Sequence, residues 1–529
     1  MKKILAILLC AAITIGFTAC GGAETLTGKA DGYGGLVTVT VKKKGDKITS
    51  VKVEGDKETQ EVAKAAFDEI PDAIVKANST DVDVVSGATV TSKAIIYAVN
   101  NALDPEKYPY PIVKDKEDPE EVTAANVFQG FGISNMGRIG PGTDDKDVPV
   151  YSFNQVLANV LFDENDKIIA IHVDQIEVAT PNYDGEGMPE FSGFPGQGSI
   201  YSDDTDDSFM AEVNTWKTKR DRGDTYKMGT GTWAEQMDTF EKVFVGKTVA
   251  EVEDWFKKYC SDINGRPLKA DSTEDEDATK YNALSDDEKA MLADVVTGAT
   301  MSLNDSHGDI VAAIKNAFDN KVGLDIESAT GLGIGISNMG RLGPGTDDND
   351  VPVYSFNQVF ANTLFDKDGK IVAIHVDQME VASPNYDSDD MPKFAGYPNS
   401  SDDVTDDNYL TQISAWKTKR ERGDTYKMGT GTWAEQMDAF EKVFVGKTVD
   451  EVEDWFKKYC SDINGRPLKA DSTEDKDTTK YNALSDDEKA MLADVVTGAT
   501  MSLNDSHGDI IAAIKASFEN RVTIDVKAK

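Results

Sequence analysis

Asp294-Val295-Val296-Thr297-Gly298-Ala299-Thr300 is the stretch on which the fold of this 529-residue chain turns. It recurs as Asp494-Val495-Val496-Thr497-Gly498-Ala499-Thr500 and, with serine in fourth place, as Asp83-Val84-Val85-Ser86-Gly87-Ala88-Thr89. The shared pattern is Asp-x-x-(Ser/Thr)-Gly-Ala-Thr. Each copy ends on a hydroxyl that a tight glycine turn and a small alanine leave open to approach. The valines ahead of it read as a segment pinned to a sheet. An apolar-faced helix is expected just behind it, through Ile95, Ile96, Val99 and Leu103 in the first copy and Ile310, Val311, Ile314 and Phe318 in the second. Thr91 or Ser92 would cap the first of these helices, and Ser302, Asn304 or Asp305 the second.

Working outward, Gly132-Ile133-Ser134-Asn135-Met136-Gly137-Arg138 returns 203 residues on as Gly335 to Arg341, and from Trp216 and Trp416 the spacing is 200. Residues 233–275 are repeated almost letter for letter at 433–475. A period this long means tandem domains and not a solenoid. The near-identity marks a recent duplication, so the two later motifs are one observation and Thr89, in a smaller and different unit, is the independent one. In that unit, residues 36–41 and 48–53 alternate around a Gly-Asp turn and predict a β-hairpin. Residues 58–77 have helical spacing, with Val62, Ala65, Ala66, Ile70 and Ile74 on one face, and 92–103 close the unit. The repeats enlarge the plan: a hairpin of 150–162 and 167–173, helices at 233–244 and 249–259, the motif, and a closing helix at 305–318.

The fold class expected is therefore α+β: three tandem domains, each a small antiparallel sheet with helices, after a cleaved signal peptide. The boundaries are a signal peptide at 1–19, an anchor linker at 20–25, a small domain at 26–105 and a Pro-rich linker at 106–127. The first repeat then spans 128–321, a short linker 322–330 and the second repeat 331–526. Proline at 105, 109, 111 and 119 makes the first spacer extended and stiff, and the shorter second one sets the repeats closer to each other than to the first unit.

Charge and cysteines exclude whole classes. With 94 acidic against 55 basic residues the formal net charge is −39, so no nucleic-acid partner is expected, because nothing here neutralises a phosphate backbone. Lys2 and Lys3 precede an apolar run over 4–17 of signal-peptide proportions. It ends in Phe17-Thr18-Ala19-Cys20, which resembles a lipobox with Phe17 at the usual leucine position; acyl chains on Cys20 would then anchor the protein to the membrane. Cys10 falls in the cleaved segment, and the repeat equivalents Cys260 and Cys460 are expected to be free and buried. Without Cys-x-x-Cys-His or paired Cys-x-x-Cys, c-type haem, structural zinc and iron–sulfur ligand sets are excluded. Asp-rich loops lack EF-hand spacing, so no metal site is expected. Gly331-x-Gly333-x-Gly335 looks faintly like a nucleotide loop, but the first repeat reads Gly130-Phe131-Gly132, and a turn is the expectation there.

The three motifs resemble the attachment sequence of the FMN-binding domain family, which includes covalently flavinylated subunits of membrane oxidoreductases and extracellular electron-transfer lipoproteins. The long repeats look most like the flavin domains of the Gram-positive lipoproteins, through Lys217-Thr218-Lys219-Arg220 to Met228, Trp233-Ala234-Glu235-Gln236, and Val245 to Val249. The resemblance implies that a flavin transferase cleaves FAD and leaves FMN in phosphoester linkage on the last threonine. Three covalent FMN groups are thus expected, on Thr89, Thr300 and Thr500. Ser86, Gly87, Ala88, Thr297, Gly298, Ala299, Thr497, Gly498 and Ala499 would border them. Asp83, Asp294 and Asp494 would serve transferase recognition.

A helix start just past each acceptor would offer its N–H groups and dipole to the phosphate diester. Tyr226 and Tyr426, Met228 and Met428, and Trp233 and Trp433 are candidates to pack on the flavin ring or to be plain core. His307 and His507 would approach the phosphate or cap the helix. No catalytic residue is assigned. By resemblance the chain is an electron carrier, lipid-anchored on the outer face of the cytoplasmic membrane. It would take electrons from a membrane quinone-linked oxidoreductase and pass them to extracellular acceptors. Two readings stay open beside it: the flavin subunit of an extracytosolic reductase acting on a small acceptor, and a surface binding lipoprotein without flavin.

Overall fold

A computed structural model describes residues 24–31, 36–45, 47–55, 60–80, 82, 84–85, 89–105, 107–108, 119–183, 185, 187–193, 206–388, 391–394 and 406–528. They fall into two compact units, one ending at Asp118 and the other beginning at Pro119. The signal peptide, Cys20, Asp83, Ser86, Gly87, Ala88 and the Thr89 side chain lie outside the described residues. Among the described residues no helix is long and apolar enough to cross a membrane.

In the first unit β1 (Glu24–Asp31), β2 (Leu36–Lys44) and β3 (Lys47–Glu54) form an antiparallel sheet in that order. Helices α1 (Gln60–Ala77) and α2 (Thr89–Leu103) cover it. The predicted hairpin is β2–β3, and its alternation puts Val37, Val39 and Val41 into one core with Ile70, Ile74, Ile95 and Val99. Strand β1 lies outside that prediction, and Gly28 explains how it joins. A Cβ on Gly28 would stand 2.0 Å from the Ala98 carbonyl oxygen of α2, so only glycine lets the helix rest on the strand backbone. Asn101 of α2 then accepts from the Lys29 N–H at 2.9 Å. Because α2 begins at Thr89, Thr91 and Ser92 are buried inside it and are not its caps. The Ser92 hydroxyl instead accepts from the Val85 N–H at 3.1 Å and ties the motif loop to the helix.

The second unit opens with β4 (Glu121–Ala124), β5 (Val127–Thr143), β6 (Pro149–Phe162) and β7 (Ile168–Ala179). Then come α3 (Asp206–Asn214), the short strands β8 (Lys227–Met228) and β9 (Gly231–Thr232), α4 (Trp233–Phe244) and α5 (Val249–Tyr259). Next are α6 (Asp275–Asn282), α7 (Asp286–Gly298), β10 (Asn304–Asp305), β11 (Gly308–Asp309), α8 (Ile310–Asp319) and β12 (Val322–Leu324).

The second repeat runs β13 (Ser328–Thr346), β14 (Pro352–Phe365), β15 (Ile371–Ala382), α9 (Asp406–Ser414), β16 (Lys427–Met428) and β17 (Gly431–Thr432). It continues with α10 (Trp433–Phe444), α11 (Val449–Tyr459), α12 (Asp475–Asn482) and α13 (Asp486–Gly498). It ends in β18 (Asn504–Asp505), β19 (Gly508–Asp509), α14 (Ile510–Glu519) and β20 (Val522–Ala528). Helices α4 and α5 stand where their spacing predicts them. The stretch 322–330, expected as a linker, is largely strand: β12 pairs with β5, and β13 follows.

The sheets run β12-β5-β6-β7 and β15-β14-β13-β20-β4, with β4 parallel to β20 and the other pairs antiparallel. Gly331-x-Gly333-x-Gly335 is part of β13, not a turn. Cβ atoms on Gly333 and Gly335 would each lie 1.9 Å from carbonyl oxygens of α14 (Ser517 and Ala513), so the glycines seat a helix. Gly130 and Gly132 do the same under α8. The opposite sheet faces meet each other. Phe153 stacks on Phe356 at 5.3 Å, and one core joins them with Phe131, Trp216, Phe360 and Trp416. Helix α3 lies on β13 and α9 on β5, a reciprocal exchange between repeats. Within it the Tyr409 hydroxyl donates to the Ser152 carbonyl at 2.6 Å, while Asn135 and Asn338 donate to the Trp416 and Trp216 carbonyls. Each sheet alone would expose a wide apolar face, so the repeats form one body with a joint core, not two free-standing domains.

Gly132→Ala should lower the stability of this unit by about 3 kcal/mol, the upper range for overpacking, since the Ala313 carbonyl cannot swing aside. A urea melt followed by tryptophan fluorescence reads this, all six tryptophans lying in the unit. An unchanged midpoint would show that helix–strand contact is not the constraint.

Candidate functional site

The motif sits at the end of a helix. Ser485 caps α13 by accepting from the Glu488 N–H, and Glu488 accepts in return from the Ser485 N–H, which starts a helix strong enough to take in Val495 and Val496. The valines are thus helical, in both repeats, and not part of a sheet. Asp494 and Thr497 are exposed on the last turn, where the Thr497 hydroxyl donates back to the Ala493 and Asp494 carbonyls at 3.0 and 2.7 Å. The helix stops at Gly498, Ala499 is extended and buried, and Thr500 follows half-buried. Asp294, Thr297, Gly298, Ala299 and Thr300 follow the same course at the end of α7.

No helix starts directly after the acceptor in the repeats. Residues 504–509 fold into the β18–β19 hairpin, and α14 begins only at Ile510, capped by Asp509, which accepts from the Ala512 N–H at 2.8 Å. Asp309 does the same for α8 at 2.8 Å, so Ser302, Asn304 and Asp305 are not caps. His307 and His507 lie in the hairpin turns, each with Nδ1 near the carboxylate two residues before it (Asp305 and Asp505, 3.0 and 3.1 Å).

A buried glutamine holds the last threonine of the motif in place. Gln436 of α10 accepts through Oε1 from the Thr500 and Met501 N–H groups at 2.9 and 3.1 Å and from the Thr500 hydroxyl at 3.3 Å. Its Nε2 donates to the Met428 and Gly431 carbonyls. Gln236 repeats the arrangement on Thr300 and Met301 at 2.8 and 3.0 Å. Gly429, at φ +56°, faces the hydroxyl; a Cβ there would come 2.7 Å from Thr500 Oγ1. Only glycine both adopts that conformation and leaves the hydroxyl clear.

Around Thr500 runs a cleft lined by Lys419, Tyr426, Met428, Trp433, Arg466 and His507. The aromatic and thioether candidates are thereby brought to the cleft at Thr500, although Trp433, 2% exposed, also belongs to the core. The Tyr426 ring is engaged by Arg422 and Lys419, at 4.2 and 5.5 Å from its centroid. Lys419 is buried, with Nζ 3.5 Å from Glu380 Oε2, while Arg341 holds Oε1 of the same carboxylate at 2.6 Å. Lys219, Glu177 and Arg138 match this at 3.4 and 2.8 Å. Burial acts to raise the Glu177 and Glu380 carboxyls, but the lysine and arginine on each outweigh it and hold them below the usual range. Cys260 and Cys460 are free and buried, with thiols pushed up by burial.

Sequence reading assigned no role to Gln436, Lys419, Gly429 or Arg466. The first-repeat equivalents of the first two, Gln236 and Lys219, stand in segments quoted for their resemblance, and Gly429 follows Met428. Arg466 lies in the near-identical stretch with nothing local to mark it; a turn packed on the segment just after the motif brings it to the cleft, since a Cβ on Gly465 would strike the Asn504 carbonyl at 2.2 Å.

Among known proteins, residues 32–104 match the FMN-binding domain family. The chain is 37% identical over 204 residues to a chlorophenol reductase of Desulfitobacterium hafniense, covering 37% of this chain and 58% of that protein. It is 41% identical over 91 residues to the urocanate reductase of Eggerthella lenta, covering 17% and 15%. With the NADH:acrylate oxidoreductase of Vibrio harveyi it shares 41% over 73 residues, covering 14% and 7%. The matches thus span less than two thirds of each of these relatives.

Glu380→Gln leaves Lys419 buried without its carboxylate and should cost about 3 kcal/mol at neutral pH. The carboxyl titrates lower in the folded than in the unfolded chain, so its contribution is present above the ordinary glutamate range and fades as pH falls through the folded value. Denaturant midpoints of wild type and variant should therefore converge in acid; a gap that is constant with pH contradicts the ion-pair assignment.

Proposed function

With residues 32–104 an FMN-binding domain, we propose that the whole chain is an electron-transfer flavoprotein carrying three FMN groups in phosphoester linkage on Thr89, Thr300 and Thr500. The observation that carries this is the Thr500 hydroxyl, held by Gln436 and left clear by Gly429, in a cleft whose walls supply both cations and ring-packing groups. These residues fit FMN. Arg466 would meet a phosphate diester, and Met428 and Trp433 would bound the ring. Asp494 and Thr497, exposed at the end of α13, are accessible to a flavin transferase, as are Asp294 and Thr297. Bound flavin supplies two-electron uptake and single-electron release; the protein's own groups bind, orient and set the electrostatics.

The carrier would work with partners: a membrane quinone-linked oxidoreductase as donor and extracellular acceptors. The signal peptide and lipidated Cys20 would keep it on the outer face of the cytoplasmic membrane. The relatives' names favour one second reading, the flavin subunit of an extracytosolic reductase, which acceptor screening with the loaded protein distinguishes.

Co-expression of the mature chain with a flavin transferase, read by intact mass and in-gel flavin fluorescence, should give three FMN additions. Thr89→Ala, Thr300→Ala and Thr500→Ala should each remove one, and Gly429→Ala should deplete the Thr500 group by crowding its hydroxyl. Flavin-free wild-type protein sinks the proposal.

A further inference from the structure

We propose that Lys219 and Lys419 are positioning residues that raise the reduction potential of the flavins at Thr300 and Thr500, an inference that rests on the flavin reading above. Each lysine is 3% exposed, yet Lys419 lines the cleft that holds Thr500. Its backbone is fixed on the sheet, the N–H donating to the Gln378 carbonyl of β15 at 2.7 Å. Its ammonium has Glu380 at 3.5 Å and the Tyr426 ring at 5.5 Å. Glu380 is shared with Arg341, so one buried carboxylate serves two cations, and the triad keeps one positive charge in excess. Asp505, an acid that does line the cleft, is held in the β18–β19 turn by the His507 N–H and Nδ1 and also feels the Lys419 charge, while Arg466 lines the same cleft as a further cation. The first repeat builds the same triad from Lys219, Glu177 and Arg138, with Tyr226 at 5.8 Å.

A buried ammonium is costly, and a purely structural pair needs no second cation on its carboxylate. The excess charge has a use at a redox site. Reduction of an isoalloxazine by two electrons from an external reductant, with one proton from solvent, leaves one added negative charge on the ring. A cation fixed and buried in the cleft wall stabilises that charge far more than one in water does. The −39 net charge of the chain opposes it, but from surface carboxylates whose field is screened within about 10 Å at 0.1 M salt. The near, desolvated charge prevails.

The test uses the full mature chain as Thr89→Ala/Thr300→Ala, so that Thr500 alone is loaded, with and without Lys419→Met, Lys419→Gln or Lys419→Arg. Intact mass reads loading, and spectroelectrochemical titration reads potential. Lys419→Met should stay loaded and shift the two-electron equilibrium at least tenfold toward the oxidised form, about 30 mV lower, with Lys419→Arg near the parent value. Should Lys419→Met fail to fold, Lys419→Gln carries the same expectation. A loaded neutral variant with the parent potential overturns the inference and leaves the carrier proposal standing. Equal shifts in the arginine and neutral variants also overturn it, since they reveal a packing role. A parent chain that accepts no FMN removes both.

Discussion

Everything else in the fold depends on a helix lying directly on a strand. Gly28, Gly132 and Gly335 stand where a Cβ would come within about 2 Å of a helix carbonyl oxygen, from Ala98, Ala313 and Ala513 respectively. Contact that close is possible only through glycine, and it fixes the closing helix against the sheet without any freedom to slide. The same device in the small unit and in both repeats ties three sequences of different length to one layout. In each, the chain that precedes the closing helix carries the threonine motif, so the seat of the helix also sets where the motif can go.

The repeats differ from the small unit in what fills the space between hairpin and motif. Among the described residues, one α-helix, α1, lies between β3 and the first motif, and five, α3 to α7, follow β7 up to the second, which α7 carries into. That insertion supplies the cleft walls: the Lys419 loop, Tyr426, Met428, the Gln436 helix and the Arg466 turn, with their first-repeat equivalents. It also supplies α3 and α9, which cross to the other repeat. Strand β6 has a use for both faces as a result. Val156, Ala158 and Val160 pack under the repeat's own helices while Phe153 and Leu157 meet the other sheet, and buried on two sides it reads as a nearly unbroken apolar run.

Much of this was legible in the sequence, and the failures have causes. Helices α4 and α5 carry Thr–Glu capping boxes and an apolar stripe, so their limits follow from local rules. The hairpins follow from alternation and turn residues. Strands β1, β5 and β13 were hidden because glycine has no β signal of its own, and its reason here is a helix far away in sequence. The cap positions failed because the β10–β11 and β18–β19 hairpins, two residues per strand, are too short to leave a pattern. At the site, the motif threonines and nearby aromatics were readable from local sequence. Gln436 and Lys419 reach Thr500 only by tertiary folding, across 64 and 81 positions.

Two threonines stand three residues apart in each repeat motif, and the structure separates them. The Thr497 hydroxyl is spent on its own helix, whereas that of Thr500 faces the cleft under Gln436. Proteolysis of the transferase-treated chain, followed by tandem mass spectrometry of the peptide containing both, decides between them directly. FMN-phosphate on Thr500, and on Thr300 in the sister peptide, is the predicted result. FMN on Thr497, or none on either threonine, would contradict the assignment of the cleft.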